Sequence, residues 1–166
     1  AARADAQAVA AAEAAEAAEA RAIADAVVEH LRRWGDRRSL GVGAFSQPQQ
    51  TAIQDAIEHR CRGDVELERL LSPDRDEHLF VKNLENLQGD ERDVILISIG
   101  YGPDHDGKLS LNFGPLNQTG GERRLNVLVT RARERCVVFC SFRPDALDLS
   151  RTQSAGVAAG GSTWTS

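Results

Sequence analysis

Residues 120–142, GGERRLNVLVTRARERCVVFCSF, decide the fold. They read as a glycine turn, a helix of about three turns crowded with arginines, and a short apolar strand. At 100° per residue Leu125, Leu128, Val129 and Ala132 fall on one face, the stripe that a helix lays on a sheet. Arg124 and Arg131 share one flank of that stripe, and Arg133 lies on the other, near Asn126. A guanidinium on such a flank passes the sheet edge while its stem stays packed. There it can meet phosphate oxygens in a two-pronged geometry that lysine cannot copy. A solvated helix face is the other reading of the same arginines, and composition alone leaves both open.

Working outward, Val94 to Ile99 (VILISI) is the most hydrophobic run and should be a central strand. Leu40 to Phe45 (LGVGAF) is a second buried strand, bounded by breakers. Ser46 then suits a helix N-cap, and a helix from Gln47 to Cys61 would turn Ile53, Ala56 and Ile57 inward. Residues 63–78 are charged, contain Pro73, and read as a short helix plus loop. Leu79 to Val81 is a brief strand. Residues 84–93 (LENLQGDERD) form a polar loop around one glycine, and 100–121 a long irregular loop. A last strand spans Arg135 to Cys140. Strands alternating with helices predict an α/β fold, a parallel sheet with helices on both faces.

The N-terminal segment is alanine-rich, with Glu13, Glu16 and Glu19 at three-residue spacing, and alanine favours helix. Ile23, Val27, Leu31 and Trp34 supply a docking face, so a docked helix is expected from about residue 15 to Arg33, with the first dozen residues frayed. The domain boundaries follow: 1–19 low-complexity, 20–154 a folded domain, 155–166 a disordered tail.

The chain has 166 residues, 42% apolar and 27% charged, with a net charge of −5. That suits one domain with its own core. The acidic balance argues against wholesale coating of nucleic acid, but residues 121–135 hold a local excess of arginine. Only Lys82 and Lys108 are lysines. The three cysteines form neither a disulfide framework nor, with histidine, a zinc quartet. No apolar run is long enough to span a membrane and no signal peptide is visible, so a cytoplasmic location is expected. The chain contains no methionine, which suggests a piece of something longer.

Three blocks, in order, carry a family resemblance: GVGAFSQPQQ (41–50), LENLQGDERDVILIS (84–98) and RRLNVLVTRAR (123–133). They resemble motifs IV, V and VI of the second RecA-like lobe of superfamily 1 helicases, most closely the subgroup of the nonsense-mediated-decay helicases. The resemblance implies that Arg131 reaches across an interlobe cleft to the γ-phosphate of ATP, with Mg2+, both bound mainly by an N-terminal lobe. It implies that Glu91 accepts from the ribose hydroxyls and that Gln88 and Gly89 shape the loop around the nucleotide. Asn83 and Lys82 stand where the family touches the backbone of single-stranded DNA or RNA. Gln49 matches the motif IV glutamine, while Arg124 and Arg133 fit structural roles. Arg131 is expected to open toward the C-terminal rim of the strands, and burial in a local ion pair pointing away from that rim would count against its role.

The chain departs from the family pattern at Ala44 and Phe45, and at Asn83, where a hydroxyl residue is common. It carries no GxxxxGK[ST] phosphate loop. Half of an ATP site is implied, so the chain alone should not hydrolyse ATP. The rival readings are a RecA-like nucleic-acid or protein-binding module without ATPase activity, and a gene fragment.

Overall fold

A computed structural model describes residues 2–87, 89–100, 126–127 and 129–141, with side chains from Val9 onward. Gln88, Arg124, most of the 100–121 loop and the 155–166 tail lie outside the described residues. Four strands, β1 (Leu40–Ala44), β2 (Phe80–Asn83), β3 (Arg92–Ser98) and β4 (Ala132–Phe139), form one sheet in the order β2-β1-β3-β4. Every neighbouring pair is parallel. The four strands and their helices make the RecA-like α/β fold.

Alternation along the strands separates two cores. Leu40, Val42, Ala44, Val94 and Leu96 face a layer of three helices, α1 (Ala2–Trp34), α2 (Gln47–Cys61) and α3 (Val65–Leu70). Ile23, Val27, Ile53 and Leu67 reach the sheet from that layer and are almost fully enclosed. Burying each such side chain contributes about 1.5–3 kcal/mol. Phe80, Ile95 and Ile97 point the other way, where Phe45 and Leu87 cover them together with Leu84 of a 3-10 turn, Leu84–Asn86.

Helix α2 occupies the span its capping signals predict. The Ser46 hydroxyl accepts from the Gln49 amide at 3.2 Å, and Pro48 sits in the first turn, where its missing N–H costs nothing. Helix α3 has an analogous start, with Asp64 accepting from the Leu67 amide at 3.1 Å. Helix α1 continues back to Ala2, well before the expected docking point. Alanine propensity carries it past the sheet, and Val9 there stays exposed.

The arginine-rich segment differs from its expected form. Asn126, Val127 and Val129 are helical, Thr130 and Arg131 form a turn, and Ala132 already opens β4. Ala132 and Arg133 therefore belong to the strand, not to a helix face. Pairing decides this: Ala132 sits opposite Arg92, and the Arg92 amide donates to the Arg131 carbonyl at 3.1 Å. The β2 strand also starts and ends later than expected, so Lys82 and Asn83 lie within it. At Gly41 an added Cβ would stand 2.3 Å from the Phe80 ring, so only glycine admits that ring over β1.

Candidate nucleotide-facing rim

In a parallel sheet, residues that precede adjacent strands become neighbours on one rim. Glu91 immediately precedes β3 and Arg131 immediately precedes β4. Their side chains meet there, with Arg131 Nη1 3.8 Å from Glu91 Oε1. Arg131 Nε also donates to the Val127 carbonyl at 3.1 Å, which fixes the stem against the preceding turn. The Arg131 side chain is 23% exposed and Glu91 55%, so the pair opens to solvent and is not sealed in the core. This rim is the N-terminal one. The expectation of a C-terminal opening is thus corrected, because the turn before β4 can only lie where β4 begins.

The scaffold behind the pair is built from Arg92. Its side chain is nearly buried, and its Nε and Nη2 both donate to the His78 carbonyl, at 3.2 and 2.8 Å. Nη1 donates to the Glu91 carbonyl at 2.7 Å, and the guanidinium stacks on the Phe80 ring at 4.8 Å. Burial pulls its pKa below the ordinary arginine value, while Glu77 and Asp90 oppose that shift. Arg92 therefore fixes the Glu91 backbone, leaving the Glu91 carboxylate to Arg131. Gly89 has φ +85° with open space around it, the left-handed conformation that glycine takes without strain.

Arg133 lies within a bulge: Arg92 pairs with Ala132, but Val94 pairs with Arg135. The extra residue turns Arg133 toward Glu77 and Asp93, the latter at 3.4 Å. The hydrogen bond it donates to Glu77 is the largest effect and raises its pKa, against a smaller opposing effect of desolvation. Asp93 in turn accepts from the Ser39 amide and hydroxyl at 2.8 and 3.1 Å. Arg133 is thus a structural tie between strands.

Asn83 ends β2, at the opposite rim, so the 84–91 loop crosses from one rim to the other. Its amide nitrogen donates to Gln47 Oε1 at 3.1 Å, and its Oδ1 is enclosed without a partner. Lys82 Nζ lies 2.6 Å from Asp90 Oδ2, a bond that ties the two ends of the same loop together. The structure brings Arg131 and Glu91 together, with Gly89 two residues before Glu91. Lys82 reaches the same loop through Asp90, which lies between Gly89 and Glu91, whereas Asn83 pairs with Gln47 instead.

One further residue was not singled out by sequence. Glu19 of α1 is 5% exposed, and its Oε1 accepts from the Ser98 hydroxyl at 2.6 Å and the Gly100 amide at 2.9 Å. Its Oε2 accepts from the Ser141 hydroxyl at 2.6 Å. Gln49, fully enclosed, donates to Ser98 Oγ at 3.0 Å and to the Glu16 carbonyl at 3.3 Å. It is a core tie in this structure. The signal for Glu19 was present: it lies four residues before Ile23 and eight before Val27, on the docking stripe itself.

The fold is thus a four-stranded parallel α/β sheet with a charged, solvent-open pair at one strand rim. The chain matches the model of an AAA domain family over residues 2–143, and it belongs to that family. It is 38% identical over 133 residues to an uncharacterized ATP-dependent helicase, MG140, of Mycoplasma genitalium. That alignment covers 78% of this chain and 11% of the relative. The MG140 homolog of Mycoplasma pneumoniae is 40% identical over 116 residues, covering 64% of this chain and 9% of that protein. The chain thus spans about a tenth of the length of these relatives. No helix among the described residues is long and apolar enough to cross a membrane.

Proposed function

We propose that the chain is the C-terminal motor lobe of an ATP-dependent superfamily 1 helicase, similar to the nonsense-mediated-decay subgroup. In this reading the N-terminal rim faces a cleft closed by an N-terminal lobe of the same parent polypeptide. Arg131 approaches the γ-phosphate there, and Glu91 approaches the ribose, with Gln88 and Gly89 shaping the loop between. The observation that carries the reading is the 3.8 Å approach of Arg131 to Glu91 across two strands. Two residues forty positions apart, each assigned by motif to the same nucleotide, share one rim.

Glu91 supplies the counter-charge while the cleft is open, so Arg131 is held near its working position. Exchanging that carboxylate for phosphate oxygens costs little where both groups reach solvent. In hydrolysis, water attacks the γ-phosphorus as its bond to the β-phosphate oxygen breaks. A guanidinium on the equatorial oxygens then stabilises the developing charge, worth about 10³–10⁵ in rate for arginine fingers. The reading assigns Mg2+ to the other lobe. Single-stranded DNA or RNA would run past Asn83 and Lys82, with the 84–91 loop linking strand and nucleotide. Lys82 must then leave Asp90 to reach a phosphate.

ATP turnover tests the assignment. The chain alone should show none, and joining it to a phosphate-loop lobe should produce turnover that rises with added single strand. Turnover by the isolated chain would contradict the half-site reading.

A further inference from the structure

The C-terminal end of α1 carries an arrangement that the proposed ATP site does not use. Arg33, Arg37 and Arg38 place their guanidiniums 5.2, 5.6 and 4.1 Å from the Trp34 ring centre. Beside the ring lies a groove of ≈ 440 Å³, beneath which Leu31, Leu67 and Leu70 are buried in the core. Arg32, Arg33 and Arg37 line its edges, together with the carboxylates of Asp64 and Glu66.

The surrounding acids are already matched. Asp64 pairs with Arg32 at 3.3 Å, and Glu66 with Arg69 at 2.8 Å. Asp36 pairs with Arg69 and Arg75, and Glu134 with Arg38 at 3.0 Å. Among the described residues Arg33 and Arg37 have no carboxylate partner. Arg37 caps the helix, donating to the Arg33 and Trp34 carbonyls at 2.8 and 3.3 Å. A helix C-terminus presents about half a negative charge, which Arg37 offsets together with Arg32 and Arg33 of the last turn. Arg33, exposed and held against the indole, has no ion-pair partner among the described residues.

We propose that this groove takes an unpaired nucleotide of a single strand, the base against Trp34, the flanking phosphates on Arg33 and Arg37. The inference rests on the nucleic-acid reading above but uses a different surface. An acidic peptide would satisfy the arginines and leave the indole unused. A nucleotide uses both, through stacking and phosphate contact. The groove lies one short 3-10 turn, Gly35–Arg37, before β1. It is therefore near the rim of Arg131 and remote from the end of β2 that carries Asn83.

The test is fluorescence anisotropy of a labelled oligothymidylate titrated with the full chain. Arg33→Glu with Arg37→Glu should weaken binding at least about tenfold. It should also make the salt dependence shallower by about 1.4 in log–log slope, the share of two phosphates. Trp34→Leu should weaken binding about fivefold or more, with an unchanged melting temperature as the control for folding. Arg21→Glu, an exposed site farther back along α1, should change affinity by no more than about twofold. If the wild type binds and the double variant binds equally well, the groove is excluded while the Asn83 surface stands. If the wild type binds no strand, both surfaces fall. Displacement of the strand by equimolar adenosine monophosphate would mark a pocket for free nucleotides and overturn the assignment.

Discussion

The Glu19 carboxylate accepts from the Ser98 hydroxyl at 2.6 Å, joining α1 to the end of β3 across seventy-nine residues. Gly100 and Ser141 complete its shell, so one side chain ties α1 to the exits of β3 and β4. Removing it as Glu19→Ala leaves the buried Gly100 amide without an acceptor and frees two hydroxyls. The expected loss is about 2–4 kcal/mol, read from urea unfolding. Glu19→Gln should cost less than about 1 kcal/mol. Its amide can donate to Ser141, whose hydroxyl already lies 3.2 Å from the Ala15 carbonyl. Equal losses for the two variants would show that the carboxylate charge itself is required.

Glu16 behaves oppositely. Burial raises its pKa, and the neighbouring Glu19 and Glu13 charges add to the shift. A carboxyl whose folded pKa is raised stabilises the fold in its protonated form, and that contribution is lost as pH rises through the folded value. Glu16→Gln should therefore raise the unfolding midpoint at pH 7, and the gain should disappear in acid. Melting curves across pH check the sign.

Asp93 titrates the other way. Burial pushes its pKa up, but the Ser39 amide and hydroxyl, with Arg133 and Arg38, outweigh that and hold it below the ordinary aspartate value. Its contribution is present at neutral pH, above the unfolded value, and is lost as pH falls through the folded one. Asp93→Asn should lower stability at pH 7 and leave less to lose in acid. An unchanged acid limb would remove Asp93 as its source.

Gly41→Ala should destabilise by about 1–3 kcal/mol, since its Cβ would enter the Phe80 ring. Combining it with Phe80→Leu should recover part of that loss, a coupling that a double-mutant cycle measures. Additive effects would mean that the ring moves aside at no cost.

The elements readable from sequence are those set by local chemistry. Ser46, Pro48 and the spacing of Ile53 and Ile57 specify α2, and the VILISI run specifies β3, without reference to the rest of the chain. The end of the arginine helix was misread because Ala132 fits an apolar helical stripe as well as a strand, and only pairing with Arg92 separates the two. The meeting of Arg131 with Glu91 depends on β3 and β4 being neighbours, which no local pattern encodes. Glu19 was hidden by its alanine-rich surroundings, although its phase with Ile23 and Val27 marked it as inward-facing.

The central claim is that Arg131 works on the γ-phosphate. It is tested most directly by single-turnover ATP hydrolysis in a polypeptide that joins this domain to a phosphate-loop lobe, comparing the parent with Arg131→Ala. The predicted result is a fall in rate of about a thousandfold or more, with nucleotide affinity held within about tenfold. Hydrolysis at the parent rate would contradict it, leaving Arg131 as no more than the ion-pair partner of Glu91.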